Sequence, residues 1–160
     1  MLSTKKQLDC AILDIDAPAE WVWQTLTDTE HYERWSHSLR VKEGAFAVGE
    51  TPVVCSTKLP MAQPSYKLHI EACESPRLLA WTLNIPVRQT LQLKRSHFVT
   101  ALSESRCQYS SIIVFSGLAA LFITPLLHRS LQRHLDDFAT GLKAEAETRY
   151  FHHLQTVSSA

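Results

Sequence analysis

The stretch from 78 to 116, LLAWTLNIPVRQTLQLKRSHFVTALSESRCQYSSIIVFS, decides the fold. Apolar and polar residues alternate along it with a period of two, which is typical of strands that bury one face. Turn-forming residues at Pro86 and at 103–105 divide the stretch into three strands. The connections are short, so these strands are predicted to pair antiparallel, because a parallel pair needs a crossover of a dozen residues or more.

The same alternation extends towards the N-terminus and predicts further strands. In total, strands are predicted at 8–16, 39–46, 51–59, 65–74, 78–84, 88–102 and 106–116. Between the first two of these strands, apolar residues from Pro18 onwards recur every three or four positions. This spacing predicts a short amphipathic helix. A second short helical turn follows it and ends near Trp35.

The last third of the chain is predicted to be helical, with an opening at Gly117. One face of this long helix carries an apolar stripe of Leu127, Leu131, Leu135, Phe138 and Leu142. Pro125 lies about two turns into the helix, where it either kinks the helix or ends a first segment. Residues 151–160 are predicted to form a frayed tail.

These elements predict one α+β domain over residues 1–160. In it, a curved antiparallel sheet of six to seven strands wraps around the long C-terminal helix, and two short helices follow the first strand. A chain of this size can bury about 70% of its surface, which supports a core without disulfides. Because a curved sheet and a helix of different curvature do not fill the space between them, the sequence also predicts an internal cavity.

The composition excludes several classes of function. Sixteen basic and sixteen acidic residues balance, which argues against a nucleic acid partner. The four cysteines and eight histidines lack metal-binding spacing and there is no glycine-rich phosphate loop, so neither a metal nor a cofactor is predicted. The longest apolar run, 117–127, is too short to span a membrane, and the N-terminus lacks the pattern of a signal peptide. The predicted location is the cytoplasm.

Several short motifs occur in a familiar order. The segments 15–20 (IDAPAE), 22–23 (VW), 26–28 (LTD) and 32–35 (YERW) resemble the opening of the START-like (SRPBCC, polyketide cyclase/dehydrase-like) helix-grip superfamily. Later matches are 79–81 (LAW) and 115–118 (FSGL), which runs into 125–126 (PL). The resemblance implies a helix-grip fold with a ligand cavity, in a superfamily whose functions range from lipid carriers to cyclases. Many related sequences place polar or acidic residues where this chain has Ser111 and Ile113, and the missing acid argues against a cavity carboxylate as general base.

Alternation across neighbouring strands predicts which side chains line the cavity. They are mainly aromatic and apolar, with a few polar members: Tyr66, Leu68, Trp81, Leu93, Arg95, His97, Tyr109 and Ser111. Two residues outside the strands complete the predicted cavity: Trp35, which lies where the resembled superfamily closes the cavity mouth, and Phe122 of the long helix. Arg95 and His97 either anchor a carboxylate, phenolate or carbonyl group, or reach solvent at a twisted end of the sheet. Trp35 either closes the cavity mouth or packs beneath a loop, and the hydroxyls of Tyr109 and Ser111 are either core groups or catalytic ones.

Three functions are compatible with this pattern. The first is non-catalytic binding of a small hydrophobic molecule, such as a lipid, a quinone or an aromatic, polyketide-like metabolite. The second is an enzyme of the cyclase/dehydrase or isomerase type, in which Arg95 and Tyr109 hold an enolate oxygen and His97 moves the proton. In the third, the apolar segment 118–127 contacts a second copy of the chain or a membrane surface. Without such a contact the protein is predicted to be a monomer.

Overall fold

Strands make up the first two thirds of the chain, and a long helix makes up the last third. The structure, a computed structural model, describes residues 5–56, 65–85 and 91–159. Within them the strands are β1 (Lys6–Asp9), β2 (Leu13–Ile15), β3 (Leu39–Glu43), β4 (Val53–Ser56), β5 (Ser65–Lys67), β6 (His69–Glu74), β7 (Leu78–Ile85), β8 (Leu91–Ser103) and β9 (Arg106–Ser116). The helices are α1 (Ala19–Thr27), a 3₁₀ helix (Thr29–Arg34) and α2 (Ala120–Ser158).

The strands form two antiparallel sheets. The main sheet has six strands in the order β1-β9-β8-β7-β6, with β2 also paired to β9, and a small sheet has the order β3-β4-β5. Backbone hydrogen bonds from Leu68 N to Pro52 O (2.9 Å) and from Ile70 N to Glu50 O (3.2 Å) join the two sheets. Helix α2 packs against β9, β1 and β2. The predicted α+β architecture, an antiparallel sheet with a long C-terminal helix and two short helices near the start, is confirmed, with the strands divided between two sheets.

The predicted strand 8–16 is interrupted after Asp9. Leu8 in β1 faces Ile113, whereas Leu13 in β2 faces Tyr109, so this segment contains one residue more than the facing part of β9. Such an extra residue reverses the alternation of buried and exposed side chains. The side chain of Ile12 is therefore 68% exposed, while apolar side chains on both sides of the interruption are buried.

The predicted strand 65–74 is divided at Leu68 between β5 in the small sheet and β6 in the main sheet. The pairing of β6 with β7 shifts by one residue between Ile70 and Ala72, so that Cys73 pairs with Leu79. Paired residues share a face of a sheet. Cys73 therefore takes the inward face that the alternation predicts for Ala72.

The predicted strand ends at 57–59 and 88–90 lie outside the described residues.

Helix α2 begins at Ala120, after a turn in which Gly117 has a φ of +101°. The helix runs without interruption through Pro125 to Ser158, so Pro125 does not end a first segment. Among the described residues, no helix is long and apolar enough to cross a membrane.

The C-terminal part of α2 packs against α1 and the residue that follows it. The ring centroid of Trp21 lies 5.9 Å from that of Tyr150 and 5.1 Å from that of His153. The Arg149 guanidinium donates to the Asp28 carboxylate at 2.9 Å. The predicted frayed tail is thus helical as far as Ser158, since its beginning is held by these contacts.

The 3₁₀ helix meets α2 at a glycine. A Cβ atom at Gly141 would lie 2.4 Å from the carbonyl oxygen of Trp35. The indole of Trp35 packs against Tyr32 and Phe138, with ring centroids 4.6 and 4.9 Å away. Residue 141 must be glycine for this close approach, because any side chain would overlap the backbone of residue 35.

Candidate functional site

A cavity of about 250 Å³ lies between the two sheets and the first half of α2. Strands β7–β9 contribute Trp81, Leu83, Leu93, Arg95 and Ile113 to its wall; β3–β5 and the residue after β5 contribute Leu39, Val54, Ser56, Tyr66 and Leu68; and α2 contributes Leu127, Ser130, Leu131 and His134. Most of these side chains are apolar or aromatic, as in sites that enclose a small hydrophobic molecule.

The cavity has a buried floor and an open side. Leu68, Trp81 and Arg95 are buried at the floor. On α2, by contrast, Leu127 is 43% exposed and Ser130 is exposed as well. The opening therefore lies along the first half of α2, and a ligand would enter beside that helix.

Half of the side chains predicted for the cavity lie on its wall: Tyr66, Leu68, Trp81, Leu93 and Arg95. Both Arg95 and His97 are buried, so the alternative in which they reach solvent at a twisted sheet end does not hold. Contact of these side chains with a ligand stays a prediction.

Trp35 and Phe122 lie away from the cavity wall. Trp35 is buried in the core against Phe138, so it packs beneath the surface and does not close the mouth. Phe122 is 78% exposed. Leu127 lines the cavity, and five residues of a helix turn through about 500°, so Phe122 points about 140° away from it.

Arg95 is the cationic side chain at the cavity floor, and it is 3% exposed. Its guanidinium carbon lies 4.2 Å from the ring centroid of Phe138 and 5.9 Å from that of Trp81. Aromatic rings at these distances stabilise a cation. In the plane, however, Nε and Nη2 are buried and have no hydrogen-bond partner within the described part of the chain. Buried donors are normally paired, so the two free N–H groups require an explanation.

His97 and Tyr109 form a hydrogen-bonded pair in the core, with 2.6 Å between Nδ1 and the phenol oxygen. Burial, together with the Arg95 cation, holds the pKa of His97 well below its usual 6.5, so the imidazole is neutral at neutral pH. Burial also raises the pKa of Tyr109 above its usual value, so the phenol keeps its proton. The ring centroid of His97 lies 4.5 Å from that of Trp81. Trp81 lines the cavity, whereas His97 and Tyr109 do not.

Ser111 is a paired core residue. Its hydroxyl donates to the sulfur of Cys10 at 3.4 Å, and its backbone N–H donates to the same sulfur at 2.9 Å. It therefore belongs, with the His97 and Tyr109 pair, to the core behind the cavity. Of the three residues that the enzyme hypothesis brings together, only Arg95 reaches the cavity wall.

The sequence interpretation missed the contributions of α2 and of β3 and β4. Leu127, Leu131 and His134 follow one another at spacings of four and three, which places them on one helix face. Leu39 and Val54 lie in predicted strands, and Leu39 alternates with polar neighbours. The periodicity of apolar residues was thus visible in the helix and in the strands. It did not show which parts of the helix and the strands face one another.

The described residues include neither a cluster of metal ligands nor a disulfide. No group of three or more His, Cys, Asp or Glu side chains among them is arranged to hold a metal ion. The cysteines at 10, 55, 73 and 107 are free thiols. The cavity with its single buried guanidinium is therefore the feature from which a function can be argued.

An antiparallel sheet that encloses an apolar cavity together with a long C-terminal helix defines a helix-grip protein. The model of the family "Polyketide cyclase / dehydrase and lipid transport" matches residues 13–147, and the chain belongs to this family. The family resemblance found in the sequence motifs is confirmed. No curated protein matches the sequence.

Solved structures with the same fold include enzymes. A point mutant of norcoclaurine synthase from Thalictrum flavum, in complex with a transition-state analogue, is 13% identical, with a TM-score of 0.67 over 93% of this chain and 98% of that one. The Zhui aromatase/cyclase from a Streptomyces species is 17% identical, with a TM-score of 0.70 over 91% and 95%. Ara h 8.0201 is 9% identical, with a TM-score of 0.69 over 90% and 99%. At such identities the similarity shows the fold alone.

Proposed function

We propose that the protein binds a small, mainly hydrophobic molecule in the cavity and does not transform it. The observation that carries this proposal is an apolar cavity of about 250 Å³ that opens beside Leu127. At about 30 Å³ per water-sized group, the cavity holds about eight non-hydrogen atoms. A longer molecule, such as a lipid or a polyketide-like metabolite, would extend through the opening.

The energetics of such binding are favourable without special chemistry. Burial of about 300 Å² of apolar ligand surface contributes about 7 kcal/mol at 25 cal/mol per Å², before the loss of translational and rotational freedom is subtracted. Micromolar affinity corresponds to about 8.2 kcal/mol, so apolar burial alone gives an affinity weaker than micromolar.

The position of the proton-transfer groups supports binding over catalysis. A general base must come within hydrogen-bond reach of its substrate. His97 is neutral and hydrogen-bonded to Tyr109, but the ring of Trp81 stands on the cavity wall beside it. A cyclase or isomerase mechanism would need both groups to reach the bound molecule.

The test is to fill the cavity and then to look for the bound molecule. Leu93→Trp places a larger side chain on the cavity wall, and Leu102→Trp places the same side chain on the exposed end of the same strand as a control. In native mass spectrometry of protein from its own host, we expect a bound small molecule on the wild type and on the control. On Leu93→Trp the bound fraction should fall at least about tenfold, because an overfilled site excludes the ligand. Equal occupancy of the two variants, or an empty wild type, would contradict the proposal.

The exposed start of α2 favours a second function, docking to an anionic membrane surface. Leu118, Phe122 and Leu126 are 64%, 78% and 84% exposed, and contiguous exposed apolar residues mark interaction sites. Arg129 and Arg133 are exposed and follow Leu126 by three and seven residues, on the same helix face. The sequence has no acidic residue between 105 and 135. Arginine side chains beside an apolar patch can reach anionic head groups while the apolar side chains enter the lipid.

This surface lies on the face of α2 that points away from Leu127 and the cavity. The cytoplasmic location inferred from the sequence stays a prediction.

Vesicle sedimentation tests the docking proposal. Phe122→Ser is expected to reduce binding to vesicles of phosphatidylcholine with phosphatidylglycerol at least about fivefold, since an inserted aromatic ring is lost. Phe151→Ser, a change at another exposed phenylalanine of α2, is the matched control and should bind as the wild type does. Binding that is equally strong to pure phosphatidylcholine would show that the arginines play no part. A mass that rises with protein concentration, and falls on Phe122→Ser, would assign the surface to a homodimer instead.

A further inference from the structure

We infer that the molecule held in the cavity carries a carboxylate and that this carboxylate pairs with Arg95. The inference rests on the proposed function and specifies the chemistry of its ligand. It does not follow from the apolar wall, which would accept a neutral molecule equally well. It follows from the two buried nitrogens of the Arg95 guanidinium that have no hydrogen-bond partner at the cavity floor.

Arg95 is placed on the inner face of β8 by the pairing of the main sheet. It lies opposite Trp81 of β7 and Ile113 of β9, and all three side chains line the cavity. A guanidinium in this position keeps its charge, because arginine does not lose its proton in proteins. The chain thus maintains a permanent cation at the floor of an apolar cavity, where an unpaired charge is unfavourable.

Two aromatic rings lie next to the Arg95 guanidinium, and one of its edges has no hydrogen-bond partner. Phe138 lies 4.2 Å from the guanidinium carbon and Trp81 lies 5.9 Å from it, as ring faces stacked on a cation do. An aromatic ring supplies no strong acceptor for the N–H groups of the guanidinium. The two nitrogens that lack partners, Nε and Nη2, share one edge of that plane.

One guanidinium edge with two parallel N–H groups matches the two oxygens of a carboxylate. A carboxylate there would accept both hydrogen bonds and neutralise the charge in a single contact. A neutral alcohol or ketone brings one acceptor oxygen and no charge, so it would leave an N–H group unpaired. A phosphate monoester would bring a second negative charge to a wall that is otherwise mainly apolar.

The cavity volume limits the rest of the ligand. About eight non-hydrogen atoms fit inside, so an aromatic acid is enclosed completely. A medium-chain aliphatic acid would place its carboxylate at Arg95 and its terminal carbons at the opening beside Leu127. The class of ligand is therefore an amphipathic monocarboxylic acid.

Octanoate and 1-octanol test this inference, because they share a chain and differ in the head group. In calorimetric titrations at pH 7.5 the wild type should bind octanoate about 30-fold more tightly than 1-octanol. The reason is that the carboxylate makes a charge-assisted bidentate contact with Arg95, which the alcohol cannot make. Arg95→Met keeps the volume and the apolar contacts and should bind the two probes within about threefold of each other. Arg77→Met, at an exposed arginine, is the control and should keep the wild-type preference.

The outcomes separate the inference from the proposed function. Equal affinity of the wild type for the two probes, or a preference for octanoate that survives Arg95→Met, overturns the carboxylate assignment. If neither probe binds the wild type, the proposed hydrophobic site itself is contradicted. The comparison of probes on the wild type decides the question even if Arg95→Met does not fold.

Discussion

Replacement of Gly141 by alanine is expected to lower the free energy of unfolding by about 2 kcal/mol, although alanine is the better helix former. A Cβ at this position would lie 2.4 Å from the carbonyl oxygen of Trp35, and both groups belong to the backbone or are rigidly attached to it. The resulting displacement would cost about 3 kcal/mol through overpacking and lost ring contacts of Trp35. The higher helix propensity of alanine offsets only about 1 kcal/mol.

Urea unfolding followed by circular dichroism measures this effect. Thr140→Ala, at the exposed neighbouring residue of the same helix, is the control and should change the free energy of unfolding by less than about 0.5 kcal/mol. A Gly141→Ala protein as stable as the wild type would show that α2 and the 3₁₀ helix do not make this close contact.

The contact at Gly141 bears on the cavity as well as on stability. Trp35 packs on Phe138, and Phe138 is the ring that lies over the Arg95 guanidinium. A shift of the 3₁₀ helix would therefore reach the cavity floor through two aromatic contacts. A glycine in the middle of a helix, unfavourable by propensity, is retained because it allows this packing.

The sequence predicted the faces of the strands well, because a strand that buries one face must alternate. The alternation placed Trp81, Leu93 and Arg95 inward, and all three line the cavity. It failed where the chain inserts one residue. The extra residue before Leu13 and the register shift before Ala72 reverse the two faces locally, and no residue type in these segments marks the change.

The depth of each side chain could not be predicted from its face. His97 and Tyr109 point inward, as the alternation indicates, but their hydrogen bond and the ring of Trp81 place them behind the cavity wall. That arrangement depends on how far α2 lies from the sheet, which is a property of packing and not of periodicity. For the same reason Phe122, which belongs to an apolar run, turns out to be exposed.

The Arg95→Met protein is expected to be more stable than the wild type when no ligand is present, by about 2 kcal/mol. Arg95 is buried with two N–H groups unpaired, and an uncompensated buried charge is unfavourable by several kcal/mol. The contacts of the cation with Phe138 and Trp81 offset about 1–2 kcal/mol of this. Methionine is of similar length and makes favourable contacts with aromatic rings, so most of the packing is retained.

Thermal and urea unfolding of ligand-free protein measure the difference, with Arg77→Met as the exposed control, which should lie within about 0.5 kcal/mol of the wild type. If Arg95→Met proved less stable than the wild type, Arg95 would be a structural residue whose contacts with Phe138 and Trp81 hold the core together.

Octanoate should then remove most of this difference in stability. A ligand that binds only the native state stabilises it by about 2.7 kcal/mol at one hundred times its dissociation constant. The wild type is expected to gain this amount at a concentration where Arg95→Met gains little. A residue that destabilises the empty protein and regains this stability when the ligand is bound serves the ligand and not the fold, because selection for stability alone would have replaced the arginine with an apolar side chain.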